Sequence, residues 1–232
     1  MVRSDIISAT KANRLYWLGR YEERVYLTLH LLNKCYDMMI DGHPEEYQTF
    51  WQKLDVEGNY KTNDEFTFGM LYDENNISSV ISAQRFAMDN AMMLREDIMS
   101  ETLSYLEMSV ALMRKNKKAG KTVMTELQHI IDWSLAFWGS AEQRLQNRKA
   151  LCIMMIGRNV EYMDFLIRFG YPYHRLHNAY EVLKGYSIEL IGALDEVISE
   201  KLDQLIDGKS YDPESEECKA KLIKYVNLLV RV

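Results

Sequence analysis

Apolar residues recur every three to four positions through most of this chain. In residues 4–40, for example, Leu15, Leu18 and Val25 fall on one stripe, which is the spacing of an amphipathic helix. The same spacing predicts helices over residues 4–40, 45–54, 64–71, 79–98, 100–117, 122–144, 148–169, 174–206 and 213–230, with a bend at Gly185 as an alternative for the segment 174–206. No segment shows the strict alternation of a half-buried strand. We therefore predict an all-α fold, a bundle of about six to nine helices.

Two segments interrupt the apolar pattern with the same polar motif. Residues 19–23 and residues 157–161 both read Gly-Arg-x-x-Glu. In the first helix, Arg20 and Arg24 fall inside the apolar arc. Charged side chains are almost never buried without a partner, because an ion loses several kcal/mol on leaving water. The motif therefore predicts an internal polar cluster.

The second copy of the motif lies in the most apolar helix, residues 148–169. Because its apolar residues point in most directions, we expect this helix at the centre of its fold. Its charged residues Glu161, Asp164 and Arg168 fall in one narrow strip with Gly157. A glycine allows another helix to approach closely, and the first helix carries the matching motif. We predict that these two central helices face each other across a buried Arg/Glu network.

Composition narrows the class of protein. A net charge of −6 argues against a nucleic-acid-binding protein, which needs clustered cations for phosphate contacts. Three widely spaced cysteines among apolar residues predict reduced thiols in a cytoplasmic protein. We expect neither secretion nor membrane spanning, because the chain shows no apolar leader and no run of about 18 apolar residues.

The length suits one large helical domain with a small addition. We place the domain at residues 1–208 and a C-terminal helix in residues 209–232. The apolar stripe of that helix includes Leu222, Val226 and Leu229, which predicts that it packs on the bundle. Packing on a second copy of the chain, as a homodimer, is the alternative.

Candidate catalytic and metal chemistry is sparse. No Ser-His-Asp or Cys-His order is recognisable. The pairs His174 and His177, and His129 and Asp132, each supply two ligands, fewer than zinc needs. The Gly-Lys-Thr at residues 120–122 lacks the glycine that a phosphate loop has five residues earlier. We therefore expect no metal, no cofactor and no catalytic residue.

Methionine is abundant in the middle of the chain. The residues concerned are Met88, Met92, Met93, Met99 and Met108. Methionine fills irregular gaps in a core, and that is our interpretation of these side chains. An adaptable surface for a partner protein is the alternative.

Four segments resemble the motifs of the Alpha-E family, a predicted α-helical domain named for its Glu-Arg motif. Residues 16–24 are similar to its opening signature, and residues 73–79 to its central capping motif. Residues 87–101 resemble its middle helix, and residues 157–168 its closing motif. The resemblance covers roughly residues 10–170.

Three functions compete for the polar residues of these motifs. In a scaffold, arginines pair with carboxylates in forked contacts that fix the register of the helices. In a binding module, several arginines converge on a phosphate or carboxylate, with Asn76, Ser79 and Asn90 as neutral partners. In an autonomous enzyme, Glu23 and Glu161 act as acid and base, although arginine neighbours favour the ionised carboxylate. The residues concerned are Arg20, Glu23, Arg24, Asn76, Ser79, Asn90, Arg95, Glu96, Arg158, Glu161, Asp164 and Arg168.

The resemblance implies a biochemical setting. Members of the Alpha-E family occur beside circularly permuted ATP-grasp proteins and transglutaminase-like proteases. That setting implies a role in making or processing peptide-like amide bonds. We favour a non-catalytic accessory protein that works with such a partner. A module binding an anionic ligand is the alternative, and an autonomous enzyme is the second alternative.

Overall fold

The computed structural model describes residues 6–42, 46–54, 60–120 and 124–231. These residues form ten helices: α1 (Ala9–Ile40), α2 (Glu46–Lys53), α3 (Asn63–Tyr72), α4 (Val80–Met93), α5 (Arg95–Ala119), α6 (Met124–Arg144), α7 (Arg148–Arg168), α8 (Tyr173–Ser187), α9 (Glu196–Leu205) and α10 (Glu216–Leu228). Leu94 alone separates α4 from α5. Among the described residues, β pairing is limited to an isolated antiparallel bridge between Leu194 and Val230. The predicted all-α fold is confirmed.

Short polar side chains begin several of the helices. Ser79 accepts a hydrogen bond from the backbone N–H of Ser82 and starts α4. Asn147 does the same for Ala150 at the start of α7. Such caps satisfy backbone donors that have no partner in the first turn. They explain why these two predicted helix starts lie within a residue of the observed ones.

The predicted helix over residues 174–206 is wrong. The structure has two helices there, α8 and α9, joined by a loop in which Gly192 has a φ of +79°. The backbone N–H of Asp195 bonds to the carbonyl of Leu229, and that of Arg231 bonds to the carbonyl of Ala193. The loop is therefore held by the end of the chain, which a local apolar pattern does not reveal.

The predicted break between residues 98 and 100 is a kink inside α5. Met99 has φ 67° and ψ 155°, which are not helical angles, and the helix continues on both sides. The separation of α4 from α5 comes earlier, at Leu94. Gly120 ends α5 with left-handed backbone angles. The predicted start of the next helix at residue 122 lies outside the described residues.

The chain forms two compact units. Unit 1 comprises Met1–Arg20 and Gln146–Val232, and unit 2 comprises Tyr21–Leu145. Helix α1 contributes its first part to unit 1 and the rest to unit 2. The predicted domain limits, residues 1–208 and 209–232, stay a prediction.

Unit 1 is built around α7. Of its 21 residues, 15 are buried, as its all-round apolar sequence predicted. Helices α8 and α10 pack against α7, and α9 packs against α10. Leu222, Val226 and Leu229 at the end of the chain are buried in this packing. The predicted packing of the C-terminal stripe within the chain is thus observed.

In unit 2, α5 packs against α4 and α6, and α4 packs against α3. Its core includes Val25, Leu29, Phe66, Tyr72 and Met113. None of the helices in the described ranges is both long and apolar enough to cross a membrane.

Candidate functional site

The two motif glycines bring the backbones of α1 and α7 into contact. A Cβ atom added to Gly19 would overlap the carbonyl oxygen of Met154, and one added to Gly157 would overlap the carbonyl oxygen of Tyr16. Tyr16 and Met154 each lie three residues before a motif glycine. The contact is therefore reciprocal, as expected for two equivalent helices. The prediction that these helices face each other is confirmed.

Arg20 is the central side chain at the point where α1 crosses α7. Its Nε donates a hydrogen bond to Oε2 of Glu161 over 2.8 Å, and the two side chains are only 7% and 8% exposed. Its Nη1 donates to Oδ1 of Asn227 over 2.9 Å. The rings of Tyr16 and Trp17 lie beside the guanidinium, with centroids 5.9 and 5.1 Å from its carbon. The predicted contact between an arginine of α1 and an acidic residue of α7 is confirmed.

The electrostatics of the crossing favour a charged Arg20. Burial by itself lowers the pKa of the guanidinium, but Glu161, Tyr16 and Asp164 raise it, and the net pKa lies above its ordinary value. Burial raises the pKa of Tyr16, while Arg20 opposes this shift. Arg20 therefore remains a cation, because its negative and polar neighbours outweigh the cost of removing it from water.

Asp164 forms the other half of the network. Its Oδ2 accepts a hydrogen bond from Nε of Arg168 over 2.6 Å, and its Oδ1 accepts one from Nδ2 of Asn227 over 3.0 Å. Together the side chains form a connected series, Glu161, Arg20, Asn227, Asp164 and Arg168, with two positive and two negative charges. The ion pair of Arg168 lies within α7, because its partner Asp164 stands four residues earlier in the same helix.

The sequence-predicted site residues divide between the two units. Unit 1 holds Arg20, Arg158, Glu161, Asp164 and Arg168, and unit 2 holds Glu23, Arg24, Asn76, Ser79, Asn90, Arg95 and Glu96. Within unit 1, four of the five belong to the network that Asn227 joins. Arg158 is half-buried. In unit 2, Glu23 is buried, and the half-buried Arg24 places its guanidinium 5.6 Å from the ring of Tyr21.

Asn76 and Ser79 build the turn that precedes α4. Oδ1 of Asn76 accepts a hydrogen bond from the backbone N–H of Ser78, and Oγ of Ser79 donates to the carbonyl of Asp73. Ser79 also caps α4, as described above. Both side chains therefore have a local structural role in stabilising this turn.

Asn90, Arg95 and Glu96 lie at the junction of α4 and α5. Nδ2 of Asn90 donates to the carbonyl of Phe86 in its own helix. Arg95 and Glu96 are exposed in the first turn of α5. Their assignment to a ligand site or a structural network stays a prediction.

Comparison with known families gives a match that spans all of the sequence-predicted site residues. A model of the Alpha-E family, described as a predicted α-helical domain with a conserved ER motif, matches residues 8–194. The chain belongs to the Alpha-E family. Comparisons with curated proteins and with solved structures found no match.

The family match covers most of the network but not all of it. The one Glu-Arg dipeptide of the sequence, Glu23-Arg24, lies in unit 2. The matched range includes Arg20 and Asp164 and ends before Asn227. Asn227 was missed by the sequence analysis because it belongs to α10, where no motif or charge marks it. Only its contacts with α1 and α7 reveal its part in the network.

Glu22 is a buried carboxyl that the sequence analysis missed. It is 2% exposed, and its Oε1 accepts a hydrogen bond from Oγ of Ser134 on α6 over 2.7 Å. Burial raises the pKa of Glu22 to about 7, Ser134 lowers it in part, and the charge of Glu23 raises it. The apolar stripe of α1 did not predict this, because a second face of the helix is also covered.

Glu22 should make the stability of this Alpha-E protein depend on pH. Between its ordinary pKa of 4.5 and its folded pKa of about 7, the folded state binds more protons than the unfolded state, so stability falls as pH rises. Glu22→Gln removes this loss. In urea unfolding, its advantage over the wild type should grow across that window, to something on the order of 3 kcal/mol at high pH.

Ser134→Ala is the companion variant. It removes the donor that lowers the pKa of Glu22, so the loss of stability should continue to higher pH than in the wild type. If the gap between Glu22→Gln and the wild type stays constant from acid to neutral pH, Glu22 does not titrate as described.

We expected the methionines of α4 and α5 to be core residues, but most of them lie on the surface. Met92, Met93, Met99 and Met108 are 41%, 66%, 40% and 38% exposed, and Met88 is half-buried. The interpretation of this set as core filler is wrong. Helical spacing alone does not show which face of a helix the rest of the protein covers.

The histidines and cysteines offer little chemistry. In the described residues, no three or more histidine, cysteine, aspartate or glutamate side chains form a group that could hold a metal ion. His177 stacks on Tyr173, and His129 stacks on Trp133. Burial raises the pKa of Cys152, which disfavours the nucleophilic thiolate. The expectations of no metal and no cofactor stay predictions.

Proposed function

We propose that this Alpha-E chain is a non-catalytic accessory protein that acts with an ATP-grasp amide ligase or a transglutaminase-like protease. Its task would lie in the synthesis or processing of peptides. The setting comes from what the family resemblance implies. The non-catalytic role comes from the chemistry of the network in unit 1.

The observation that carries the non-catalytic role is the use of the charged groups. Arg20 donates to Glu161 and Asn227, and Asp164 accepts from Asn227 and Arg168. Breaking the buried pair of Arg20 and Glu161 to engage a substrate would leave a charge without its partner away from water, at a cost of several kcal/mol. A network of this kind favours a fixed arrangement of helices over a reacting centre.

The exposed methionines favour a partner. Large apolar side chains on the surface mark interaction sites when they occur together, and methionine adapts its shape to different partners. Met88 and Met92 lie on one face of α4, one turn apart, and Met93 is the most exposed of the set. We infer that this part of α4 contacts the partner protein.

The anion-binding alternative is less favoured. An anion would have to compete with Glu161 for Arg20, and Asp164 nearby would repel it. An autonomous enzyme using Glu23 and Glu161 would need Glu161 to leave its guanidinium partner. A cytoplasmic location and a homodimer stay predictions.

The purified chain alone should show neither ATP-dependent amide ligation nor peptide hydrolysis, because no group in the network is poised to transfer a proton or to attack. Co-expression with a circularly permuted ATP-grasp protein or a transglutaminase-like protease should give a complex that co-purifies, with raised activity of the partner. Met93→Glu should weaken the complex, since it places a charge beside the exposed methionines of α4.

Ile77→Glu is the matched control, because Ile77 is 70% exposed and lies before α4. It should leave the complex intact. Robust ligation or hydrolysis by the isolated chain would overturn the accessory role. Failure of both partner classes to bind would overturn the proposed setting.

A further inference from the structure

The Asn227 side chain fills a defined position between two charged groups. Its Oδ1 accepts from Nη1 of Arg20 over 2.9 Å, and its Nδ2 donates to Oδ1 of Asp164 over 3.0 Å. The same Nδ2 also donates to the carbonyl of Ile223, one turn earlier in α10, over 2.8 Å. Both N–H groups of the carboxamide and its carbonyl oxygen are therefore used.

The chemistry of this position favours a neutral group that both accepts and donates hydrogen bonds. A guanidinium can only donate hydrogen bonds, and a carboxylate can only accept them. A group between Arg20 and Asp164 must therefore offer an acceptor on one side and a donor on the other. A carboxylate would face the like charge of Asp164, and an ammonium group would face that of Arg20. A neutral primary amide satisfies both.

The two side chains that flank this position, Arg20 and Asp164, are also fixed by contacts with residues other than Asn227. Arg20 is 5% exposed and fixed by Glu161, and Asp164 is 8% exposed and fixed by Arg168. Their polar atoms are thus already oriented for a ligand, which lowers the cost of binding.

Asn227 belongs to a different part of the chain than Arg20 and Asp164. Arg20 and Asp164 lie in the range that the Alpha-E family matches, residues 8–194, whereas α10 lies beyond it. Of the 13 residues of α10, only Leu222 and Val226 are buried. The carboxamide contacts of Asn227 therefore add to the packing of α10 on α7 and α9.

We propose that Arg20 and Asp164 form a binding site for a primary carboxamide, such as the side chain of asparagine or glutamine in a peptide, and that Asn227 occupies it from within the chain. Helix α10 and such a peptide then compete for the same site. This inference goes beyond the proposed function, because it needs no partner enzyme and is tested on the full chain alone.

The test is to empty the position and offer a small amide. Asn227 is exposed, and alanine favours a helix, so Asn227→Ala should fold. In protein labelled with ¹⁵N-arginine, acetamide should shift the assigned Nε–H signal of Arg20 in this variant in a saturable way. The wild type should show no saturable shift, and acetate should not reproduce the effect. Asn227→Ser leaves a similar space and serves as the second variant if Asn227→Ala does not fold.

Two further variants sharpen the result. Asn227→Leu should block the site by its bulk, and Lys224→Ala, an exposed position of the same helix, should behave as the wild type. An equal or larger saturable shift with acetate would overturn the proposal in favour of an anion site. No saturable shift with acetamide in Asn227→Ala, or the same shift in Asn227→Leu, would show that Asn227 is a structural link only.

Discussion

Replacing Gly157 with alanine is expected to lower the free energy of unfolding by about 2–3 kcal/mol. The added Cβ would overlap the carbonyl oxygen of Tyr16 in α1. Backbone atoms cannot move aside as a flexible side chain can, so the two helices must separate. This cost exceeds the roughly 1 kcal/mol that alanine gains over glycine in a helix. Urea unfolding followed by circular dichroism measures the change.

Gly185 gives a control with the opposite sign. It lies inside α8 in the same unit, and a Cβ atom there would meet no atom within 4 Å. Gly185→Ala should therefore raise the free energy of unfolding by up to about 1 kcal/mol, and the urea midpoint with it. If Gly157→Ala were as stable as Gly185→Ala, the close approach of α1 and α7 would be wrong.

Removing Arg20 is expected to have the largest effect, about 3–5 kcal/mol of lost stability for Arg20→Met. Methionine keeps much of the length and apolar surface of the side chain, so the loss comes mainly from the charged group. Glu161 would be left buried without its guanidinium partner, and Asn227 would lose the donor to its carbonyl oxygen. The urea midpoint again measures the change.

Arg85→Met is the matched control for this substitution. The side chain of Arg85 is 46% exposed and lies 3.9 Å from Glu74, and ion pairs of this kind contribute about 0–1 kcal/mol. A loss for Arg20→Met no greater than that for Arg85→Met would show that the buried pair does not hold the helices together.

The central contacts could be predicted because their causes are local in the sequence. Arg20 falls in an apolar arc and therefore needs an acidic partner, and Glu161 lies in the narrow polar strip of an otherwise apolar helix. The paired glycines gave the place of close approach. Helix starts were predicted where a capping side chain such as Ser79 stands before the apolar pattern.

Other features depend on contacts between segments far apart in the chain. The loop before α9 is held by Leu229 and Arg231, and Asn227 joins the network from 207 residues away from Arg20. The burial of Glu22 and the exposure of Met93 were missed for the same reason. The helical period of a sequence shows that one face of a helix is apolar. It does not show whether other helices also cover a second, polar face, or whether they leave the apolar face exposed to solvent.

The most direct measurement of the central claim is a double-mutant cycle between Arg20 and Glu161. Arg20→Met and Glu161→Met should each destabilise strongly, because each leaves the other charge buried. The double variant should recover much of the loss, giving a coupling energy of about 2 kcal/mol or more. Losses that add within about 0.5 kcal/mol would contradict the account, since independent sites add in that way.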